Sequence, residues 1–350
     1  MLKCNLLPLA LFGISPVGSL HAQESALSLP LLRPSRLVMD TSNGLPPDFK
    51  FYRRFEDYPY GSLDSEAKGA EQQKRYDAVF LYPQIGGVTE GSIFNNVSKT
   101  ITGGRLRWTK QPNSEVYASE REIVWSWDVP RPLEAKEWVA YTGPRDRYGA
   151  ILFSAILKQP RRLVFFDKEK GFDHSVMLNF ETLCPPITDE QSNKPTHEGW
   201  FPDATDGVFS EGNKRLLFTV SAYNEEVSTL LVLDLKGNLV SSVRLVGFYP
   251  SALHRDYSGK RFILQLGDEK TKQGRSFLLD ENGAFFGEFV DPDGKGISIY
   301  SMKTDKSAYR GLGSTGDYDF EVPPASAVAV KIDRLVAGKQ AKPVEATATK

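Results

Sequence analysis

Short apolar runs that end at an aspartate recur along this chain. Arg215 opens one such unit, and Asp234 begins the Asp-x-x-Gly step that closes it. Arg261 and Asp280 do the same in a second unit. Each arginine precedes its aspartate by 19 residues, and the two aspartates are 46 residues apart. This repetition indicates two copies of one structural unit.

The residues of each unit predict a small antiparallel sheet. A continuous apolar run of about four to eight residues between turn signals is typical of a strand that is buried on both faces. In Asp-x-x-Gly the aspartate side chain caps the turn and the glycine takes the positive φ that the turn needs. A further apolar or alternating run follows, such as residues 239–246 or 285–290. We therefore expect three or four strands per unit.

The repeat length predicts the fold class. The segment Gly-Trp-Phe-Pro at residues 199–202 recurs as Gly-Phe-Tyr-Pro at residues 247–250, an offset of 48. Strand-only repeats of about 40–50 residues are the signature of a β-propeller. The prediction is an all-β protein, with residues 23–337 forming a single propeller domain.

The number of blades is less directly determined by the pattern. Apolar runs of the same kind end near residues 40, 82, 128, 167, 234, 280 and 333. A ring leaves no unpaired edge when both chain ends share one blade. Residues 36–40 are therefore predicted to complete the blade begun by residues 296–332, with the N-terminal and C-terminal strands pairing to close the ring. Six blades is the preferred interpretation, and seven is the alternative.

The repeat also carries a resemblance. The Gly259-Lys260-Arg261 step, the apolar strand after it and the Leu-Asp-x-x-Gly at residues 279–283 resemble blades of bacterial six- or seven-bladed propellers of the TolB and YncE type. The resemblance is sharpest over residues 199–290. It implies an exported propeller that more often binds than catalyses, and it carries no functional residues over.

The amino terminus predicts export. Lys3 precedes an apolar run over residues 6–14, and Ala22 offers a small residue at a cleavage position before Gln23. This order is typical of a secretory signal peptide, here residues 1–22. We expect a periplasmic or secreted protein with no transmembrane segment in the mature chain, because no later stretch approaches 18 apolar residues. Residues 338–350 are predicted to be a disordered tail.

Charge and cysteine content exclude several classes. The 350 residues contain 43 Lys+Arg against 44 Asp+Glu, so there is no basic footprint for nucleic acid. The hydrophobic share of 40% is enough for a packed core. Cys4 would leave with the signal peptide, so Cys184 has no intramolecular partner. We expect Cys184 to be an inert, partly buried thiol rather than a reactive one.

Candidate ligand-binding residues follow from the repeat. Asp206 lies four residues after Pro202, and His254 lies four residues after Pro250, so the two occupy equivalent positions in successive units. Residues just after these prolines are expected at the mouth of a central channel. The predicted polar ring consists of Arg145, Asp146, Asp203, Asp206, His254 and Arg255. It would bind a small anion, a metal ion or a peptide end; the alternative is turn capping and ordinary surface charge.

The sequence contains few motifs that indicate catalysis or a bound cofactor. No pair among His174, His197 and His254 has zinc-ligand spacing. Residues 291–294, Asp-Pro-Asp-Gly, lack the later ligands of a calcium loop and are interpreted as a tight turn. No Gly-x-Ser-x-Gly occurs, and no cofactor is predicted. The excess length around residues 184–197 suggests either a partner-binding loop or a plain surface excursion.

These observations favour a non-catalytic binding or scaffold protein that recognises a protein or a small ligand at the channel mouth. The alternative is a propeller hydrolase or lactonase that uses a divalent cation at the same place.

Overall fold

The computed structural model describes sixteen parts of the chain, and most of their residues lie in β-strands. They are residues 29–38, 48–51, 78–83, 97–110, 117–128, 138–141, 148–153, 159–167, 170–184, 199–202, 207–210, 212, 214–222, 226–256, 258–303 and 305–338. The one helix among them, α1, is the single turn Phe180–Leu183. No helix in these parts is long and apolar enough to cross a membrane.

The strands of the described residues are, in chain order, β1 (Leu31–Leu32), β2 (Arg36–Val38), β3 (Phe49–Phe51), β4 (Ala78–Pro83), β5 (Val97–Lys110), β6 (Tyr117–Asp128), β7 (Trp138–Tyr141), β8 (Tyr148–Phe153), β9 (Arg161–Asp167), β10 (Gly171–Leu178), β11 (Trp200–Pro202), β12 (Val208–Phe209), β13 (Arg215–Ala222), β14 (Val227–Asp234), β15 (Leu239–Val246), β16 (Phe248–Arg255), β17 (Arg261–Asp268), β18 (Gly274–Asp280), β19 (Phe285–Phe289), β20 (Ser298–Lys303), β21 (Ala308–Gly313), β22 (Gly316–Glu321) and β23 (Arg334–Val336).

Among the described residues these strands form five sheets. Sheet 1 has the order β4-β5-β6, and sheet 2 has the order β7-β8-β9-β10. In sheet 3, β11 and β12 both pair with β13, which is followed by β14, β15 and β23. Sheet 4 has the order β16-β17-β18-β19-β1, and sheet 5 has the order β3-β20-β21-β22-β2. Successive sheets therefore use successive parts of the chain, apart from short strands near the two ends.

In two sheets, the arginine and the aspartate that are 19 residues apart in the repeat lie opposite each other on adjacent strands. Arg215 lies opposite Asp234 in sheet 3, and Arg261 lies opposite Asp280 in sheet 4. Trp200 and Phe248, from the repeated aromatic-proline segments, each begin the first strand of their sheet. The repeat unit predicted from the sequence is therefore confirmed as an antiparallel meander.

The Asp-x-x-Gly turns have the predicted chemistry. Asp234 Oδ1 accepts hydrogen bonds from the backbone N–H groups of Lys236 and Asn238, each at 2.8 Å. Asp280 Oδ1 accepts equivalent bonds in the turn between β18 and β19. Gly237 and Gly283 have φ values of 80° and 78°, in the left-handed region that favours glycine. These turns hold adjacent strands at the spacing of an antiparallel pair.

Sheets 2 to 5 stack face to face in chain order. Sheet 3 contributes Leu216 and Phe218 to a core shared with sheet 2, and Leu217 to a core shared with sheet 4. In sheet 4, Phe262 faces sheet 3 and Ile263 belongs to a core shared with sheet 5. Neighbouring residues of one strand are thus buried on opposite faces, which explains why the strand sequences are continuously apolar.

Both chain ends add strands to sheets formed by other parts of the chain. β2 pairs antiparallel with β22, so residues 36–38 belong to the same sheet as residues 316–321, as predicted. β1 pairs parallel with β19, and β23 pairs parallel with β15. The fourth strands of sheets 3 and 4 are therefore each covered by a fifth, parallel strand.

Two details of the predicted strand assignment are wrong. Residues 327–333 do not continue sheet 5, whose last strand in that part of the chain ends at Glu321. Val330 instead pairs with Phe285 of sheet 4, and β23, which follows, joins sheet 3. β4 and β6, which the pattern separated as successive units, belong to one sheet. Pairing partners that are distant in sequence leave no local signal. The predicted signal peptide, residues 1–22, and residues 339–350 lie outside the described residues. The number of blades and the closure of the ring stay predictions.

Candidate ligand-binding end of the sheets

The turns that join β12 to β13 in sheet 3, β16 to β17 in sheet 4 and β20 to β21 in sheet 5 meet at one end of the stack. The described residues of these turns are 210, 212, 214–215, 256, 258–261 and 305–307, and we call them the hairpin end. The Arg255 guanidinium of sheet 4 donates from Nη1 to the Phe209 carbonyl of sheet 3 at 3.0 Å. Arg261 donates from Nη2 to the carbonyl of Pro323, just after sheet 5, at 2.6 Å. Hydrogen bonds between neighbouring sheets therefore place these turns side by side.

Two of the six predicted site residues lie at this end. His254 and Arg255 are the last residues of β16, where they pair with Ile263 and Phe262, and both are half-buried. Arg255 reaches the end of β12, the equivalent strand of the preceding sheet. Arg145, Asp146, Asp203 and Asp206 lie outside the described residues. The predicted ring of six therefore stays a prediction beyond this pair.

Asp256 is a residue that the sequence analysis missed. Its side chain is buried, and Oδ1 accepts a hydrogen bond from the Ser258 backbone N–H at 3.0 Å. Its Oδ2 accepts the Tyr309 hydroxyl of sheet 5 at 3.1 Å. Burial, together with the negative charge of Asp256, raises the pKa of the Tyr309 hydroxyl well above its ordinary value. Tyr309 is thus a neutral donor that ties sheet 5 to the hairpin end.

The signal for Asp256 was present in the sequence. Asp256 and Gly259 form another Asp-x-x-Gly turn, with the Gly259 N–H bonded to the Asp256 carbonyl at 2.9 Å. The φ of Gly259 is 77°, as in the other turns of this kind. The motif identifies the turn, but the contact with Tyr309 depends on a strand that begins more than 50 residues later and could not be predicted from it.

Exposed charge at the hairpin end is predominantly positive. Each of the three turns carries one exposed lysine: Lys214, Lys260 and Lys306. The two carboxylates that the structure describes in these turns, those of Asp256 and Asp305, already have donors. Asp256 is bonded as described above, and Asp305 Oδ1 accepts the Ser307 N–H at 2.9 Å and the Ser307 hydroxyl at 2.6 Å. The described part of this end therefore offers cations to solvent more readily than anions.

Two buried ion clusters lie within sheets 4 and 5. In sheet 4, Arg275 donates from Nε and Nη2 to the two oxygens of Glu288, at 2.6 and 2.7 Å, and from Nη1 to Asp268 at 3.0 Å. In sheet 5, Arg310 donates to both oxygens of Asp319, at 2.7 and 3.1 Å. These groups bond one another across adjacent strands, so we assign them to holding the sheets rather than to a ligand.

The predictions about metals and reactive groups have different outcomes. Asp291 forms the expected tight turn, because its Oδ1 accepts the Lys295 N–H at 2.8 Å and Gly294 has a φ of 84°. Across the part of the chain that the structure describes, no three His, Cys, Asp or Glu residues are grouped as metal ligands. Cys184 is fully buried after α1, and burial raises the pKa of its thiol to about 12. A thiol with this pKa is a poor nucleophile at neutral pH.

Comparison with known proteins assigns no family. No family model matches this chain, and no curated protein matches it. Among solved structures, the Dos1 propeller aligns with a TM-score of 0.31 at 12% identity, over 66% of this chain and 59% of that one. BBS1N, crystallised in complex with ARL6DN, aligns with a TM-score of 0.33 at 11% identity, over 72% of this chain and 66% of that one. The C-terminal WD40 domain of Sif2 aligns with a TM-score of 0.23 at 9% identity, over 65% of this chain and 91% of that one.

The chain thus spans less than two thirds of the length of the first two structures. With TM-scores below 0.5, none of these likenesses assigns a fold or an activity to this chain.

Proposed function

We propose that this chain is a β-propeller whose hairpin end binds an anionic group of a protein or of a small ligand without transforming it. The stack of sheets 2 to 5 supports the propeller, because sheets 3 and 4 each bury one face against the sheet before them and the other against the sheet after them. Sheets that stack in this way close into a ring when the last meets the first. The sheets of the described residues would then be its blades.

The single observation that carries the binding function is the charge at the hairpin end. Lys214, Lys260 and Lys306 come from the same turn of three consecutive sheets and are all exposed, whereas Asp256 is buried and bonded. A set of cations on a rigid scaffold attracts a carboxylate or phosphate group and repels a metal cation. Of the ligand classes compatible with the sequence, an anion or the carboxyl end of a peptide fits this charge best.

The experiment compares two triple variants of the full chain. One replaces Lys214, Lys260 and Lys306 with glutamine; the other replaces Lys270, Lys272 and Lys295, which are equally exposed but lie in turns at the opposite end. A fluorescent hexaglutamate peptide is the probe, and its binding is followed by anisotropy at low and high salt. We expect about tenfold weaker binding for the first variant, since three surface charge contacts are lost.

Equal binding by both triple variants would contradict a ligand site at the hairpin end. The same preparation distinguishes the metal-dependent hydrolase. Stoichiometric calcium or zinc in the purified protein, with a melting temperature that a chelator lowers, would favour an enzyme over a binding protein.

We also propose that the protein acts outside the cytoplasm, in the periplasm or the medium, on the basis of the signal-like residues 1–22. Edman sequencing of the protein recovered from its native host should begin at Gln23. A mature chain that begins at Met1 would contradict export through this signal.

A further inference from the structure

Strand β10 occupies the same place in sheet 2 that β15 and β19 occupy in sheets 3 and 4. Each is the fourth strand of its meander and pairs antiparallel with the third strand. β15 is covered on its outer side by β23, and β19 by β1. Among the described residues, no strand is hydrogen bonded to the outer side of β10.

The two covered edges show how an added strand is held. Glu288 donates its N–H to the Pro30 carbonyl at 2.9 Å, and Val290 donates to Leu32 at 3.1 Å. On sheet 3, Arg244 donates to the Asp333 carbonyl at 2.9 Å, and the Ala337 N–H donates to Val246 at 2.8 Å. Backbone hydrogen bonds at the two ends of a segment of two or three residues therefore suffice to hold it as a parallel strand against the fourth strand of a sheet.

The added strands also share their side-chain chemistry. β1 is a Leu-Leu pair followed by an arginine, and β23 is Arg-Leu-Val. β2, which completes sheet 5 from outside, is again Arg-Leu-Val. The recurring occupant is a short extended segment with two adjacent branched aliphatic residues and one arginine beside them.

The outer part of β10 fits such an occupant. Phe172 and Met177 are large apolar residues of this strand that stay 42% and 55% exposed. Asp173 lies between them in sequence with a half-exposed side chain whose Oδ2 contacts His174 Nδ1 at 2.8 Å, so a cationic residue of the incoming strand would meet a carboxylate that already has one partner. On the side that faces sheet 3, His174 already bonds the Leu235 carbonyl. The outer part of β10 thus combines two exposed apolar side chains with one carboxylate, and beside them the Ser175 hydroxyl accepts a hydrogen bond from Arg162 Nη1 at 3.1 Å.

We propose that the outer edge of β10 is a docking site for a fifth, parallel strand supplied by another protein, an extended segment of the Arg-Leu-Val type. The backbone bonds would supply most of the affinity, and the arginine opposite Asp173 would set the register. This site is separate from the hairpin end and does not depend on an anionic ligand there.

The test uses a synthetic peptide, acetyl-Asp-Arg-Leu-Val-Ala-Gly-amide, which copies residues 333–338, and the full-length protein. Hydrogen exchange followed by mass spectrometry reports on residues 170–178. We expect saturating peptide to slow exchange of the β10 amides by about tenfold or more, as for edge amides that gain a partner. The same peptide N-methylated at leucine and alanine, which copy Leu335 and Ala337, keeps its side chains but loses the N–H groups that face the edge in β23, and it should give no protection.

A pair of charge variants distinguishes peptide binding at this edge from nonspecific binding. Asp173→Lys should weaken peptide binding several-fold, whereas Asp293→Lys, which reverses an exposed carboxylate in the turn after β19, should leave it unchanged. Circular dichroism of both variants checks that they are folded.

Three outcomes would overturn the proposal. The first is equal protection by the N-methylated peptide. The second is faster exchange at residues 334–336 on adding peptide, because the peptide would then replace β23 rather than join β10. The third is full protection of β10 before any peptide is added. That result would mean that another segment, such as β6, whose Cα atoms come within 8 Å of β10, already covers the edge.

Discussion

Asp268 accepts a hydrogen bond from the backbone N–H of Gly338 at 2.9 Å, although the two residues are 70 positions apart. The accepting oxygen, Oδ2, is the one that also faces Arg275. Residues 330–338, which we call the C-terminal strap, thus end on the buried ion cluster of sheet 4. Along the way the strap pairs with Phe285 and with β15. Its attachment joins sheets 3 and 4 along their outer edges.

The strap should contribute measurably to stability through its buried aliphatic residues. Leu335 belongs to the core shared by sheets 3 and 4 and is only 9% exposed. Leu335→Ala should lower the free energy of unfolding by about 2–3 kcal/mol in urea denaturation, because the transfer free energy is lost and a cavity remains. Val328→Ala, at a side chain 82% exposed, is the matched control and should change it little. Equal effects of the two changes would mean that the strap is not docked.

Removing the arginine from the buried ion cluster should destabilise the fold. Arg275→Met would leave Asp268 and Glu288 buried without their cation, so we expect a loss of about 3–5 kcal/mol in the free energy of unfolding. Lys272→Met removes an exposed lysine that pairs with Glu269 in the turn between β17 and β18. This change should alter the free energy of unfolding little. Guanidinium denaturation of both variants measures the difference. A loss for Arg275→Met no larger than that for Lys272→Met would contradict a closed cluster.

The same cluster predicts sensitivity to acid. Burial alone would raise the pKa of Asp268, but the N–H groups of Gly338 and Thr271 and the Arg275 guanidinium outweigh it and lower the pKa below 3.8. A carboxyl with a lowered folded-state pKa contributes stability that is present above 3.8 and is lost as the pH falls through the folded value. Asp268→Asn should be less stable than the unsubstituted protein at pH 7.

The measurement is urea denaturation at several pH values between 7 and 2. The stability difference between Asp268→Asn and the unsubstituted protein should shrink as the pH falls below 3.8. A difference that stays constant down to pH 2 would show that the Asp268 charge does not contribute.

Cys184 should be protected from thiol reagents in the folded protein. In a Cys4→Ser variant it is the remaining thiol of the chain. Because burial raises its pKa to about 12, iodoacetamide should label it slowly at pH 8 in buffer and rapidly in 6 M guanidinium. The raised pKa also stabilises the fold, fully below pH 9.0 and progressively less as the pH rises toward 12. Rapid native labelling would contradict the buried position.

Several features of the fold were predictable because they are local. Asp234 and Asp280 cap their turns through backbone groups two and four residues ahead, so a segment of five residues carries the whole interaction. The strand runs were predictable for a similar reason, since a strand buried on both faces must be apolar at every position. The equivalence of Trp200 and Phe248 followed from their common place ahead of such a strand.

The candidate site was only partly predictable. His254 and Arg255 were identified from their distance to a proline, and the structure places both at the hairpin end. The charge of that end depends on which acids are buried: Asp256 is withdrawn from solvent by Tyr309, which belongs to a different sheet. Burial of this kind is decided by neighbours that no local pattern specifies.

By itself the amino-acid sequence determined the class of structure, the strand-and-turn unit and its repetition, because these depend on residues within one hairpin of each other. Only the tertiary structure decided that β4 and β6 share a sheet, that residues 334–336 return to sheet 3, and that Asp268 accepts a hydrogen bond from Gly338. The physical reason is that backbone hydrogen bonds between strands are nearly independent of side-chain identity. Partners far apart in the chain are therefore chosen by which apolar faces and edges are left to cover.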